Sequence, residues 1–229
     1  MPRPLFILLG GLLAVIPGWA ASQSGQLSVL TTSASTPSAG VEYRIDPQQS
    51  AVNIFAYSRG VLAEFAHNHV MTTGSLSGSV AVDGITQHLV FELSFPVRQL
   101  IIDDPEARSA AGADFPPDIT DADRAATRRI MLGRDVMDAQ SYPTIMLQSV
   151  RTSGPQQPAQ LMVRITIKGV TRELPIVADV QFQDAALKVS GEFDILQTDF
   201  GIKPFSMVFG ALRIEDRLRV KFAVHADRM

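Results

Sequence analysis

The chain has 229 residues, 20 basic against 23 acidic side chains, a formal net charge of −3, four histidines and no cysteine. That composition excludes a disulfide framework and any thiolate-held metal. It also lacks the concentrated basic face that phosphate binding requires, so nucleic acid is excluded as a partner.

Taken in chain order, the first element is not part of a fold. Arg3 precedes the apolar run Leu5 to Ile16, Pro17 breaks it, and Gly18 and Ala20 stand at the −3 and −1 positions of a cleavage site. This is the layout of a secretory signal peptide over residues 1–20. The run is shorter than the roughly 20 residues that span a bilayer, and no cysteine follows it to take a lipid. The expectation is an exported protein without a transmembrane anchor, periplasmic or secreted after cleavage near Ala20. Residues 21–40, rich in Ser, Thr and Gly, read as a flexible lead-in, and 41–229 as one domain.

From Val41 onward the pattern has period two. In "LMVRITIKG" Leu161, Val163, Ile165 and Ile167 share one face, and Met162, Arg164, Thr166 and Lys168 the other. "LKVSGEFDI" sets Leu187, Val189, Gly191, Phe193 and Ile195 against polar neighbours. "RLRVKFAVHA" does the same with Leu218, Val220, Phe222, Val224 and Ala226. Such alternation marks antiparallel strands with one buried face. Further strands are predicted over 51–58, 75–83, 87–97, 144–151, 173–183 and 206–214, with a short turn at "KGVTR" (168–172).

Residues 103–143 interrupt this pattern. The first half reads as a loop, and an acidic cluster (Asp103, Asp104, Glu106, Asp114, Asp118, Asp121, Asp123) across the loop and helix start reads as a solvated, helix-capping surface. The second half predicts one helix, with Thr120 as N-cap, Asp123 in the capping-box position, Gly133 as stop and an apolar stripe of Ala122, Ala126 and Ile130. Arg128, Arg129 and Arg134 complement its dipole. So long an excursion suits a lid. Short antiparallel strands around one helix-bearing excursion give an all-β class: an antiparallel, lipocalin-like β-barrel of about eight strands.

The segments "YRIDPQQSAVNIFA" (43–56), "DAQSYPTIMLQS" (138–149), "ITIKGVTRELPI" (165–176), "DILQTDFGI" (194–202) and "GALRIEDRLRVKFAVHA" (210–226) resemble the YceI-like family in order and spacing. The resemblance implies a periplasmic, lipocalin-like barrel that holds a long-chain polyisoprenoid or isoprenoid quinone in its interior. The chain departs from the family where Gln49 follows Asp-Pro in place of a His, and in "LAEFAHNHVMTTG" (62–74), which places it nearer a His-containing subgroup.

The stretch "EFAHNHVM" (64–71) carries the most suggestive chemistry. As an HNH nuclease motif it fails on context, because the following segment is strand-like and there is no basic face. As a metal site, His67 and His69 at i and i+2 on a strand would point to one side with Phe65 and Met71. His88 and His225 fall on outward faces, which leaves that site half built. As a ligand contact, two imidazoles on an inward pleat suit the carbonyl or hydroxyl head of an amphiphile; alternatively the pair bonds neighbouring backbone or the 103–143 excursion. No serine nucleophile elbow or EF-hand spacing is present.

The reading that results is a barrel that sequesters or carries a polyisoprenoid, quinone-like or fatty amphiphile and catalyses no reaction. Ile54, Leu93, Val163, Ile165, Val189, Phe193, Val220 and Phe222 line its tunnel. Phe205 and Phe209 stand near a mouth, and the excursion covers one end. Expected partners are a small hydrophobic or amphiphilic ligand and a transient membrane contact; a homodimer is left open. The alternative is a metal- or redox-linked periplasmic enzyme built on His67 and His69.

Overall fold

The computed structural model describes residues 40–154 and 156–229. The expected signal peptide and residues 21–39 of the lead-in lie outside the described residues. The strands are β1 (Val41–Ile45), β2 (Ala51–Arg59), β3 (His69–Thr73), β4 (Ser77–Val82), β5 (Leu89–Pro96), β6 (Ile101–Ile102), β7 (Thr144–Thr152), β8 (Ala159–Ile167), β9 (Val170–Phe182), β10 (Ala186–Leu196), β11 (Ser206–Met207) and β12 (Leu212–Arg228). Two helices, α1 (Pro105–Ala111) and α2 (Asp121–Leu132), sit in the excursion between β6 and β7.

Hydrogen bonding runs β1-β4-β5-β7-β8-β9-β10-β12 and returns from β12 to β1, so eight antiparallel strands close a barrel. β12 has 17 residues and serves two neighbours along one edge. Ala226 to Arg228 pair with β1, and Arg213 to Ala223 pair with β2. From β2 the sheet continues through β3 to β6.

The alternation seen in the sequence becomes the two faces of the wall. Leu161, Val163, Ile165 and Ile167 are buried inward along β8, and Leu187, Ile195, Val220, Val224 and Ala226 along β10 and β12. Outward residues pair across the sheet, Arg217 with Asp194 at 3.0 Å and Lys221 with Glu192 at 3.6 Å. These exposed pairs contribute little stability. At the β8–β9 turn Lys168 (φ 50°) and Gly169 (φ 75°) are both left-handed, as a two-residue type I′ hairpin requires. A side chain at Gly169 would also strike the Tyr142 ring, 2.5 Å from the ideal Cβ. Gly191 acts differently: its missing side chain makes room for the Phe222 ring opposite it.

Two predicted elements are corrected. The strand expected over 206–214 stops at Met207, because Val208 (φ 50°) and Phe209 (φ 53°) are left-handed and cannot continue an extended chain. Its last residues join 217–226 in β12 across a bulge, where the register with β2 shifts between Ile214 and Leu218. Gln197 donates to the Glu215 carbonyl at 2.7 Å, and Thr198 bonds both Asp216 carboxylate oxygens, pinning that bulge. Likewise the excursion holds two helices where one was expected. Asp104 caps α1, accepting from the Glu106 and Ala107 amides at 3.0 Å each, and Pro105 fills the first turn.

α2 has the expected Thr120 cap and Gly133 stop, but a different buried face. Ala122 and Ile130 are exposed, and Met131 is buried. Arg128 does not serve the helix dipole; its guanidinium donates to the Leu100 carbonyl at 2.5 Å and to that of Arg98, fastening the helix to the β5–β6 connection.

The cavity and the histidine segment

Inside the barrel lie two adjoining cavities. The first, about 120 Å³, is walled only by aliphatic and phenylalanine side chains, among them Ile54, Leu93, Val163, Ile165, Val189, Phe193, Val220 and Phe222. The second, about 190 Å³, has His67, His69, Thr127, Gln197 and Arg213 among its walls as well as Met71, Phe205 and Leu218. Ile54, Ile145, Ile167 and Ile195 wall both, forming a ring between an oily chamber and a mixed one. An apolar cavity of about 150 Å³ stays dry and accepts benzene, so each chamber is of a size to hold part of an apolar chain. The helical excursion forms part of the mixed chamber's wall through Thr127, Ile130, Met131, Val136 and Met137.

His67 and His69 are not equivalent. Residues 63–65 form a 3₁₀ turn and β3 begins only at His69, so His67 is not on a strand and the two share no pleat. His67 is exposed at the cavity's edge, whereas His69 is half-buried within it. The 3₁₀ turn also turns Phe65 out to 75% exposure, away from the cavity, and Glu64 is exposed beside it. Between the histidines Asn68 is a clamp. Its side-chain carbonyl accepts from the Ser58 amide at 2.9 Å, and its amide donates to the Asp114 carbonyl at 3.0 Å.

The ring of His69 is fixed from behind. Its Nδ1 lies 2.6 Å from Asp103 Oδ2, while Asp103 Oδ1 accepts from the Val70 amide at 2.9 Å and from Arg108 Nη1 at 2.6 Å. The backbone sets this up, because the Asp103 amide donates to the Val70 carbonyl at 2.8 Å just beyond the β3–β6 pairing. Asp103 and Arg108 are both fully buried, which corrects the placing of Asp103 on a solvated acidic surface. Burial alone would raise the Asp103 carboxyl. The hydrogen bonds from His69, the Val70 amide and Arg108 overcome it and hold the carboxyl below its ordinary value.

Arg108 reaches this position from α1, donating also to the carbonyls of Asn68 at 2.7 Å and Pro116 at 2.6 Å. Outside the barrel wall α1 covers a second apolar cluster, where Phe115 meets Phe55 and Tyr57 edge to face at 5.5 and 5.4 Å.

Twelve of the expected ligand-contact residues therefore line one or both chambers: Ile54, His67, His69, Met71, Leu93, Val163, Ile165, Val189, Phe193, Phe205, Val220 and Phe222. Phe65 and Phe209 do not. Phe209 is fully exposed, and with Val61, Phe65, Met207 and Val208 it forms an apolar fringe on two neighbouring loops. Those loops meet where the Leu62 amide donates to the Ala211 carbonyl at 2.9 Å. Among the described residues no three His, Asp or Glu side chains come together as a metal site. Asp103 behind His69 would orient a ligating imidazole well, but His67 is the one further imidazole on the chamber wall.

The YceI-like domain profile matches residues 43–226. The chain belongs to the YceI-like family. Among solved structures this YceI-like barrel resembles BcnA of Burkholderia cenocepacia, with a TM-score of 0.57 at 15% identity over 79% of this chain and 98% of that one. The Campylobacter jejuni YCEI protein aligns with a TM-score of 0.49 at 11% identity, over 68% of this chain and 82% of that one. No curated protein matches the chain. At 15% identity the likeness to BcnA is one of fold, and among the described residues no helix is long and apolar enough to cross a membrane.

Proposed function

We propose that this YceI-like barrel is an exported carrier that sequesters a polyisoprenoid, quinone-like or fatty amphiphile, with the chain in the apolar chamber and the polar head in the mixed one. The observation that carries this reading is the change of lining across the ring of Ile54, Ile145, Ile167 and Ile195. One side offers no polar side chain, and the other offers imidazole, amide, hydroxyl and guanidinium groups. Ligand sites are mostly apolar with a few placed polar groups, and an amphiphile matches both halves at once.

The apolar fringe of Val61, Phe65, Met207, Val208 and Phe209 borders the loops that wall the mixed chamber. It supports a transient contact with a bilayer during loading, since exposed apolar patches of this kind mark interaction surfaces. Periplasmic or secreted localisation belongs to the same proposal and rests on the segment 1–20.

The test is organic-solvent extraction of the exported protein, mass spectrometry of the extract, and metal analysis of the same sample. A co-purifying long-chain amphiphile without stoichiometric metal is expected. A protein that yields no lipid and exchanges with no apolar probe would sink the carrier reading. A stoichiometric metal lost on His67→Ala and His69→Ala would replace it with the metal-linked enzyme.

A further inference from the structure

His69 presents its chemistry to the cavity in one defined way. Asp103 Oδ1 is occupied by two donors, the Val70 amide and Arg108 Nη1, and Oδ2 faces His69 Nδ1 at 2.6 Å. An ionised carboxylate only accepts, so the hydrogen of that bond belongs to Nδ1. In the neutral ring Nε2 is then a bare acceptor. Nε2 has no hydrogen-bond partner among the described residues. It is also not sealed off, because the one buried, unpartnered side-chain polar atom among them is Nη2 of Arg108. The ring lines the mixed chamber with 17% of its side chain accessible. Asp103 and Arg108 are a matched pair of opposite charges with neither side chain exposed.

Three other polar groups in that chamber are less committed to a ligand. Gln197 spends its amide on the Glu215 carbonyl, Arg213 donates to the Gly210 carbonyl at 3.2 Å, and His67 is exposed.

We propose that His69 Nε2 is a fixed hydrogen-bond acceptor that selects a hydroxyl-bearing head group, so the barrel prefers an amphiphilic alcohol or hydroquinone over the corresponding ether, ketone or quinone. This inference rests on the carrier reading above and narrows it to a ligand class. A head group that only accepts would set two lone pairs against each other at Nε2. A hydroxyl donates into that position and gains one hydrogen bond.

The experiment compares farnesol with farnesyl methyl ether as competitors for a bound fluorescent apolar dye. These differ only in the donor hydrogen and one methyl group. In the natural protein farnesol should bind about five- to tenfold more tightly, the scale of one hydrogen bond. Asp103→Asn should abolish or reverse the preference. With its carbonyl on the Val70 and Arg108 side and its amide facing His69, the new residue donates to Nδ1 and moves the ring hydrogen to Nε2. His69→Phe should erase the difference between the two compounds.

Equal binding of both by the natural protein overturns the selection by His69 and leaves the carrier reading standing. Binding of neither overturns both. Should a variant fail to fold, the natural protein still decides. Nitrogen-15 NMR of its histidines should show an unprotonated Nε2 on His69 that shifts when farnesol is added, and a protonated Nε2 overturns the proposal.

Discussion

Arg108 Nη1 and Asp103 Oδ1 meet at 2.6 Å with neither side chain exposed to solvent. Removing one member of such a pair leaves an uncompensated charge in the interior, which costs about 3–5 kcal/mol. Arg108→Met should therefore lower the stability by that order, read as a fall in the urea midpoint. Arg108→Lys keeps the charge but cannot reach Asn68, Asp103 and Pro116 together, so it should fall between the two. A midpoint for Arg108→Met within error of the natural protein would show that the pair does not hold α1 to the barrel.

The same carboxylate makes an acid-sensitive contribution. A carboxyl held below its ordinary value in the folded state stabilises fully above the unfolded value. That contribution is lost as the pH falls through the lower, folded value. For Asp103 it should be complete above its ordinary 3.8 and drain away below it. The stability difference between the natural protein and Asp103→Asn should therefore shrink as the pH falls below that point. Asp46 and Asp83 are also held low by local hydrogen bonds, but both are common to the two proteins, so they cancel in the difference.

The isoleucine ring between the chambers predicts a length threshold. Ile54→Trp fills the passage, at a stability cost of about 1–3 kcal/mol for overpacking. It should weaken a long prenyl alcohol tenfold or more, while a short alcohol confined to the mixed chamber competes for the dye nearly as before. Loss of both in proportion would mean that the two cavities do not act as one tunnel.

Val208 and Phe209 are strained in the left-handed region, where a non-glycine residue costs about 1–3 kcal/mol and a β-branched one is an outlier. Val208→Gly should leave the melting temperature equal or higher. Together with Phe209→Ser it should cut co-sedimentation with vesicles of zwitterionic lipid at least severalfold. Unchanged sedimentation would remove the bilayer from the loading step.

The barrel was legible in the sequence because its physics is written at period two: the inward residues of β8, β10 and β12 are those that alternation singles out. The histidine segment was less legible. Nothing local announces that a 3₁₀ turn at 63–65 delays β3 until His69, so the i, i+2 spacing puts Phe65 and His67 on a pleat they do not share. Asp103 was misread because its partners lie 34 residues back at His69 and five residues ahead at Arg108. The available signal was Asp104-Pro105-Glu106, a cap followed by proline and an acid, which starts the helix that brings Arg108 inward.

β12 is the last strand in chain order, yet it supplies both edges that shut the wall, against β10 on one side and against β1 and β2 on the other. Pairing Tyr43 with Arg228 joins segments that stand far apart in the chain, and such contacts form late because the intervening loop must first be closed. Until then the other seven strands of the ring make an open sheet with two bare edges, hazardous in solution but accessible from the side. A long hydrophobic chain can enter such a half-shut wall without threading through a mouth. Folding in the presence of cargo and filling a finished barrel should therefore differ in rate.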